Sequence, residues 1–345
     1  MLRVHYRPSR LPAGGTRPPG GFRARSEAAH RPVRHPIVRP LCTLLLTLTF
    51  SLPLHSQETS EPAALAAHAL LLDVARAGDR LVAVGDHGHV LFSTDQGRTW
   101  TQSLTPTRAM LTGVSFLDSQ HGWAVGHDGV ILATSDGGQT WTRQDSGTDL
   151  ATVYLDVLFR DATHGFVVGA YGKFMVTSDG GKNWTAAKPS EDEAHYNRIT
   201  AGADGWLYLA GESGTLLVSN DGGKNWLKSE LPYEGSLFGV LPLDDGVLVT
   251  YGLRGHILRS ADHGANWQPL GNDVKVLIMG GTRCQNGTTV LGGQGGNFFV
   301  SRDGGITFTH WKSTGFSTSV ADLVEAADGA LIAVGEAGAV RIPMP

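Results

Sequence analysis

The chain has only two cysteines, Cys42 and Cys284, in 345 residues. Cys42 falls in an N-terminal stretch with the layout of an export signal, so the mature chain keeps Cys284 alone and no internal disulfide can staple it. Apolar runs of membrane length are also missing. Residues 41–54 are the one candidate, and their 14 residues fall short of the roughly 20 that a spanning helix needs. Basic charge is scarce beyond that point. Residues 1–56 hold nine of the 28 basic residues and one of the 32 acidic ones, which leaves 19 against 31, a net of −12. Nucleic acid and anionic lipid both require a basic footprint, so neither is expected as the main partner. There is no nucleotide-binding glycine loop, Ser-His-Asp elbow or Cys-His pair, and the histidines, His87-x-His89 included, form no set with ligand spacing. No metal and no cofactor are expected.

Arg34 and Arg39 precede the apolar run, and Ser56, Gln57 and Glu58 follow it, as in a secretory signal peptide cleaved after Ser56. Residues 33–56 make a complete signal. The Arg- and Pro-rich residues 1–40 then read as an extension outside the mature protein, the product of a start site set too far upstream. A transit peptide ahead of the signal is the alternative, but two serines (Ser9, Ser26) and no amphipathic helix count against it. The mature chain, 57–345, is expected in the periplasm, or in the thylakoid lumen of a photosynthetic host, with no lipid insertion after cleavage.

What is present in abundance is a repeat. An aspartate, a glycine two residues on and an aromatic five residues on recur as Asp95/Gly97/Trp100, Asp136/Gly138/Trp141, Asp179/Gly181/Trp184, Asp221/Gly223/Trp226, Asp262/Gly264/Trp267 and Asp303/Gly305/Phe308. The aromatics are 41, 43, 42, 41 and 41 residues apart, the length of one four-stranded propeller blade. A glycine pair precedes each box: Gly85/Gly88, Gly126/Gly129, Gly169/Gly172, Gly211/Gly214, Gly252/Gly255 and Gly293/Gly296, with a seventh pair, Gly335/Gly338, that no box follows. Seven pairs and six boxes predict an all-β, seven-bladed propeller. The last blade, about 317–344, has three strands of its own, and an open edge is a liability, so residues 61–69 are expected to donate a fourth.

Blade 2 shows the layout. Residues 111–117 alternate as an innermost strand, 123–126 and 130–135 flank a two-residue hairpin loop His127-Asp128, and 140–144 form the outer strand after the box. The box needs no ligand to explain it. A short carboxylate accepts the backbone N–H groups of its own turn, glycine supplies positive φ, and the aromatic fills the space between sheets. Six copies around a ring read as staples rather than as catalytic sites.

In a four-stranded meander the second-to-third hairpin and the blade-to-blade linker share one face, and the boxes lie on the other. The hairpin tips place Asp86, His87, His127, Asp128, Tyr171, Glu212, Arg254, Gln294 and Glu336 on that face as candidate partner contacts, beside the polar linker 190–198.

The run Gly-Trp-Ala-Val-Gly126-His-Asp-Gly129-Val-Ile-Leu-Ala-Thr-Ser-Asp136-Gly-Gly-Gln-Thr-Trp141 resembles the photosystem II stability and assembly factors, a family of BNR-repeat (aspartate-box) propellers with non-photosynthetic bacterial relatives. The likeness spans about residues 69–342. It implies an exported, non-enzymatic helper that holds subunits of a membrane-protein complex during assembly. The photosynthetic members carry an arginine-rich patch, whereas the twelve arginines of this mature chain are scattered (Arg108, Arg143, Arg198, Arg254 and Arg302 among them). Boxes of this type also occur in sialidases, so a sialidase-like glycoside hydrolase or a carbohydrate-binding propeller is the alternative. It would need three arginines, a Tyr nucleophile with a Glu partner, and an acid–base Asp. Arg341-Ile-Pro343 matches the arginine motif but lies on the final strand, and no spacing selects among Tyr154, Tyr171, Tyr196 and Tyr233 or between Glu212 and Glu234.

Overall fold

A computed structural model describes residues 58–244 and 246–344; the signal segment and the extension lie outside them. Seven antiparallel sheets follow one another, six of four strands and the last of three, each with its strands in chain order. The inner strands are Leu71–Ala77, Leu111–Phe116, Tyr154–Phe159, Tyr196–Ala201, Leu237–Pro242, Ile278–Arg283 and Val320–Glu325. Each packs against the next, and the last packs against the first, so the ring closes as a seven-bladed propeller. Second strands such as Gly122–Gly126 are buried throughout because blades cover both their faces, whereas outer strands such as Thr142–Gln144 are mostly exposed.

The boxes are built as the sequence predicts. Asp136 Oδ1 accepts the N–H groups of Gln139 (3.0 Å) and Thr140 (2.9 Å), and its Oδ2 accepts Thr140 Oγ1 at 2.6 Å. Thr134 Oγ1 donates to Asp136 at 2.8 Å and accepts the Gly138 N–H at 3.1 Å. Asp95, Asp179, Asp221, Asp262 and Asp303 repeat the clasp with Thr99, Asn183, Asn225, Asn266 and Thr307. Bonds from Asn183, Asn225 and Thr307 hold the Asp179, Asp221 and Asp303 carboxyls down at about 2, because they favour the charged form. Each box aromatic packs toward the preceding blade. Trp141 joins Val82 and Val84 of blade 1, and Phe308 lies against the cluster of Val249 and Phe299.

Two expectations need correction. The tip loops of blades 1 to 6 have three residues, not two: in blade 2, Gly126 N–H meets Val130 O at 3.1 Å around 127–129. The second glycine belongs to the loop, at φ +61 for Gly129, and its N–H reaches Thr152 O of the adjoining linker at 2.9 Å. An added Cβ at Gly88 or Gly214 would lie 2.3 or 2.5 Å from the linker carbonyl of Thr107 or Tyr233, which explains why the second glycine recurs. Only blade 7, where Gly335 pairs directly with Gly338, has the two-residue loop.

Residues 61–69 are the second correction, since they donate no strand. They are Ala-rich with one Pro, poor strand formers, and Ala66–His68 is a short 3-10 turn against Gly338–Ile342. That turn sits where the other blades have their linker. Closure comes instead from packed faces: Leu71, Val74, Ala83 and Leu91 of blade 1 meet Val334, Val324 and Ala339 of blade 7. Arg98–Asp328 (2.8 Å), Arg341 Nη1 to Gln96 O (2.6 Å) and an Arg341–Asp328 pair fasten the box side of this seam.

Candidate partner-binding face

The hairpin tips and linkers lie together on one face, as the connectivity requires. On five of the tips the second residue is non-glycine and takes positive φ: His87 (56°), Asp128 (57°), Tyr171 (54°), Ser213 (54°) and Arg254 (59°). The left-handed turn needs a following glycine with φ > 0 and leaves the preceding side chain standing off the sheet. Tyr171 is 76% exposed and Leu150, on the adjoining linker, 74%. Leu65, Leu104 and Leu253 are also exposed on these loops, so five of the seven large apolar side chains exposed among the described residues lie on this face.

The predicted contacts spread around the ring, and the structure brings together only those on neighbouring blades. Tyr171 packs edge-on against His195 at 4.6 Å, and the His195 N–H donates to Glu212 Oε1 at 2.9 Å. Tyr233 stacks on His256 at 4.1 Å and donates to Leu253 O at 3.1 Å, beside Arg254. The others are held locally. Asp86 Oδ1 accepts the His87 N–H (2.8 Å), Asp128 O accepts Arg143 Nη2 (3.3 Å), Gln294 O accepts Asn297 Nδ2 (2.7 Å), and Glu336 Oε2 accepts the Ser319 N–H (3.2 Å). The His127 N–H is tied to Met110 O at 2.9 Å. The linker 190–198 is shorter than expected: it ends at His195, and Tyr196 opens a buried inner strand.

Arg198 therefore stands on an inner strand, its side chain 30% exposed, and it anchors a set that the sequence reading missed. Every inner strand has a register slip after its first residue, a bulge that re-aims its third residue. Those third residues are Asp73, Gly113, Asp156, Arg198, Gly239, Gly280 and Asp322. From blade 4, the Arg198 guanidinium lies 3.0 Å from Asp73 of blade 1, 3.0 Å from Asp322 of blade 7 and 3.7 Å from Asp156 of blade 3. Asp73 also accepts the Val114 N–H (2.7 Å) and Asp156 the Ile199 N–H (2.9 Å). The glycines leave room for the cluster: a Cβ on Gly239 would lie 2.3 Å from the Tyr251 hydroxyl, and one on Gly280 would lie 2.9 Å from Asp322 Oδ1. Three buried carboxylates outnumber one guanidinium. Burial pushes the Asp156 carboxyl up to about 7 despite the attraction of Arg198, and burial likewise raises Asp322 and the Tyr251 hydroxyl.

Three of the residues considered for a sialidase site are placed away from solvent or already engaged. Tyr154 and Tyr196 are buried on inner strands, and Arg341 is committed to Asp328 and Gln96 O. Among the described residues no group of three His, Cys, Asp or Glu could hold a metal ion, and no helix is long and apolar enough to cross a membrane. Cys284 is a buried free thiol, raised to about 12 by burial.

The sequence model of the photosynthesis system II assembly factor YCF48 family matches residues 93–150 and 144–342. The chain belongs to that family. No curated protein matches it. Among solved structures, one titled "YCF48 bound to D1 peptide" is 21% identical, with 81% of this chain and 94% of that one covered and a TM-score of 0.66. YCF48 from Cyanidioschyzon merolae is 17% identical, with 84% and 98% covered and a TM-score of 0.67. The WD40 propeller of Doa1 is 14% identical, with 83% and 95% covered and a TM-score of 0.62, which shows how far the architecture alone extends.

Proposed function

We propose that this family member is an exported, non-catalytic scaffold whose hairpin-tip face holds an extramembrane segment of a membrane-protein subunit while its complex assembles. The observation that carries the reading is the exposure of Leu150, Tyr171, Leu253 and Arg254 on the tip and linker loops of one face, since apolar anchors and arginine mark protein interfaces. The family match supports the assembly role, and a related structure titled as bound to a D1 peptide supports a peptide from a membrane-protein subunit as the class of partner. Export rests on the signal-like residues 33–56.

The test is co-purification of the tagged full chain from envelope extracts, with cross-linked partners identified. Substituting His127, Asp128, Tyr171 and Arg254 together by Ala is expected to abolish capture and to leave the melting temperature within a few degrees, because loop tips add little to blade packing. Unchanged capture moves the binding surface elsewhere. Hydrolysis of a fluorogenic sialoside that a single Tyr→Phe change abolishes would replace the scaffold reading with the glycosidase one.

A further inference from the structure

Blade 7 departs from the other six. Its third strand, Gly338–Ile342, has no outer neighbour among the described residues, whereas every other blade fills that position with an outer strand. In an antiparallel ladder only alternate residues of an edge strand bond inward. Ala339 pairs with Val334 as Val90 pairs with Val84 and Ile131 with Val125, and those two counterparts are the residues met from outside by Ser103 and Gln144. By this register Ala339 and Arg341 turn their peptide groups outward.

A second observation falls at the same place. Of the five box tryptophans, Trp100 alone has a buried Nε1 without an acceptor. Trp141 and Trp226 donate to Gly138 O (3.0 Å) and Gly223 O (3.2 Å) of their own boxes. Trp184 donates to Gln144 Oε1 (3.4 Å), and Trp267 donates both to Gly264 O of its own box (3.1 Å) and to Ser229 Oγ (2.7 Å); Gln144 and Ser229 stand at the outer-strand position of the preceding blade. For Trp100 the preceding blade is blade 7, where that position is unfilled. The flanks are apolar: Ala339 lies with Trp100 and Ala67 toward blade 1, and Val340 lies with Trp311, Phe316 and Met344 toward blade 6.

We infer that the outer edge of Gly338–Ile342 is a strand-addition site for an extended peptide segment of the partner. This rests on the scaffold reading and specifies how the segment is gripped: main-chain bonds to Ala339 and Arg341, with neighbouring pockets reading alternate side chains. The segment runs antiparallel to Gly338–Ile342. Its residue opposite Ala339 carries a hydrogen-bond acceptor, as Gln144 and Ser229 do at that position, and takes the Trp100 Nε1–H. The adjacent residue is apolar and faces Trp311. Residues 60–63, ahead of blade 1, are engaged elsewhere, through Ser60 N to Thr105 O (2.9 Å), Ala63 N to Gln102 Oε1 (2.8 Å) and Glu61 to Arg108 (2.9 Å). The same edge of a second copy, Gly-Ala-Val-Arg-Ile, carries no acceptor side chain for Trp100.

The test uses the full chain and, as probe, a synthetic peptide copying residues 99–106, which contains the blade 1 outer strand Thr101–Ser103. Saturable binding is expected, with exchange of the Ala339 and Arg341 amides slowed at least tenfold. Ala339→Pro, which removes an outward N–H, should weaken binding at least tenfold with the melting temperature unchanged, and Trp100→Phe should weaken it several-fold. Equal binding by Ala339→Pro, or slowed exchange at the hairpin tips instead, overturns the site. Slowed amides in the free protein that are independent of concentration would give the edge to the chain itself, and concentration-dependent slowing would give it to a second copy. Either result overturns the partner assignment. Because the probe involves no membrane protein, this outcome is separate from capture of the partner.

Discussion

Replacing Arg198 by Met should leave three carboxyl groups of the central channel facing one another without a counter-charge, and its cost should depend strongly on pH. The side chains of Asp73, Asp156 and Asp322 are only 2%, 5% and 3% exposed, so water cannot take over from the guanidinium. Removing one member of a buried ion pair typically costs about 3–5 kcal/mol. The wild type already has a slope of its own. Burial raises Asp156 to about 7 in the folded state, above its unfolded value, so its contribution to stability is fully present below about 4 and lost as pH rises through about 7. In the Arg198→Met protein Asp156 and Asp322, already raised by burial, lose the attraction that favours their charged forms, which steepens that slope. Urea unfolding at pH 5 and pH 8, followed by tryptophan fluorescence and by circular dichroism, measures both terms. The expected loss is about 3–5 kcal/mol at pH 8, shrinking to about 1–2 kcal/mol at pH 5, where lost hydrogen bonds alone remain. Adding Asp322→Asn should recover part of the loss at pH 8. A loss below 1 kcal/mol at pH 8, or the same loss at both values, would refute the claim that Arg198 compensates buried negative charge.

Asp136→Ala should destabilise the fold by about 1–3 kcal/mol through unpaired turn N–H groups, with partner capture persisting below the lowered melting temperature; lost capture at unchanged stability would put function on the box face. Because the carboxyls of Asp179, Asp221 and Asp303 are depressed to about 2, their stabilisation is present above about 4 and lost as pH falls toward 2, so acid melts should steepen only in that window. Gly126→Ala would place a methyl 2.0 Å from Met110 O, and a loss of at least about 1–3 kcal/mol is expected in thermal unfolding; wild-type stability would contradict so close an approach of backbone to backbone.

The repeat was legible because its parts are local. An aspartate that clasps N–H groups three and four residues on, and a glycine that turns the chain at positive φ, work within one hairpin and recur with it, so blade number and box geometry follow from spacing alone. The tip residues were legible as positions, but which of them meet depends on the linker of the next blade, as with Tyr171 and His195. Two features lay beyond local pattern. Blade 7 has no outer strand among the described residues, residues 61–69 are poor strand formers that donate none, and the seam is held by packed faces and by Arg98, Arg341 and Asp328. The channel cluster draws on blades 1, 3, 4 and 7, with Arg198 and Asp73 125 residues apart in the chain. One trace of it was in the sequence: Asp73 stands 12 residues before Gly85, and Asp156, Arg198 and Asp322 each stand 13 before the first glycine of their pair. That phase marks a shared place on each strand. Only closure of the ring turns it into a meeting of charges, because side chains that share a strand position become neighbours when seven copies of that strand converge on one axis.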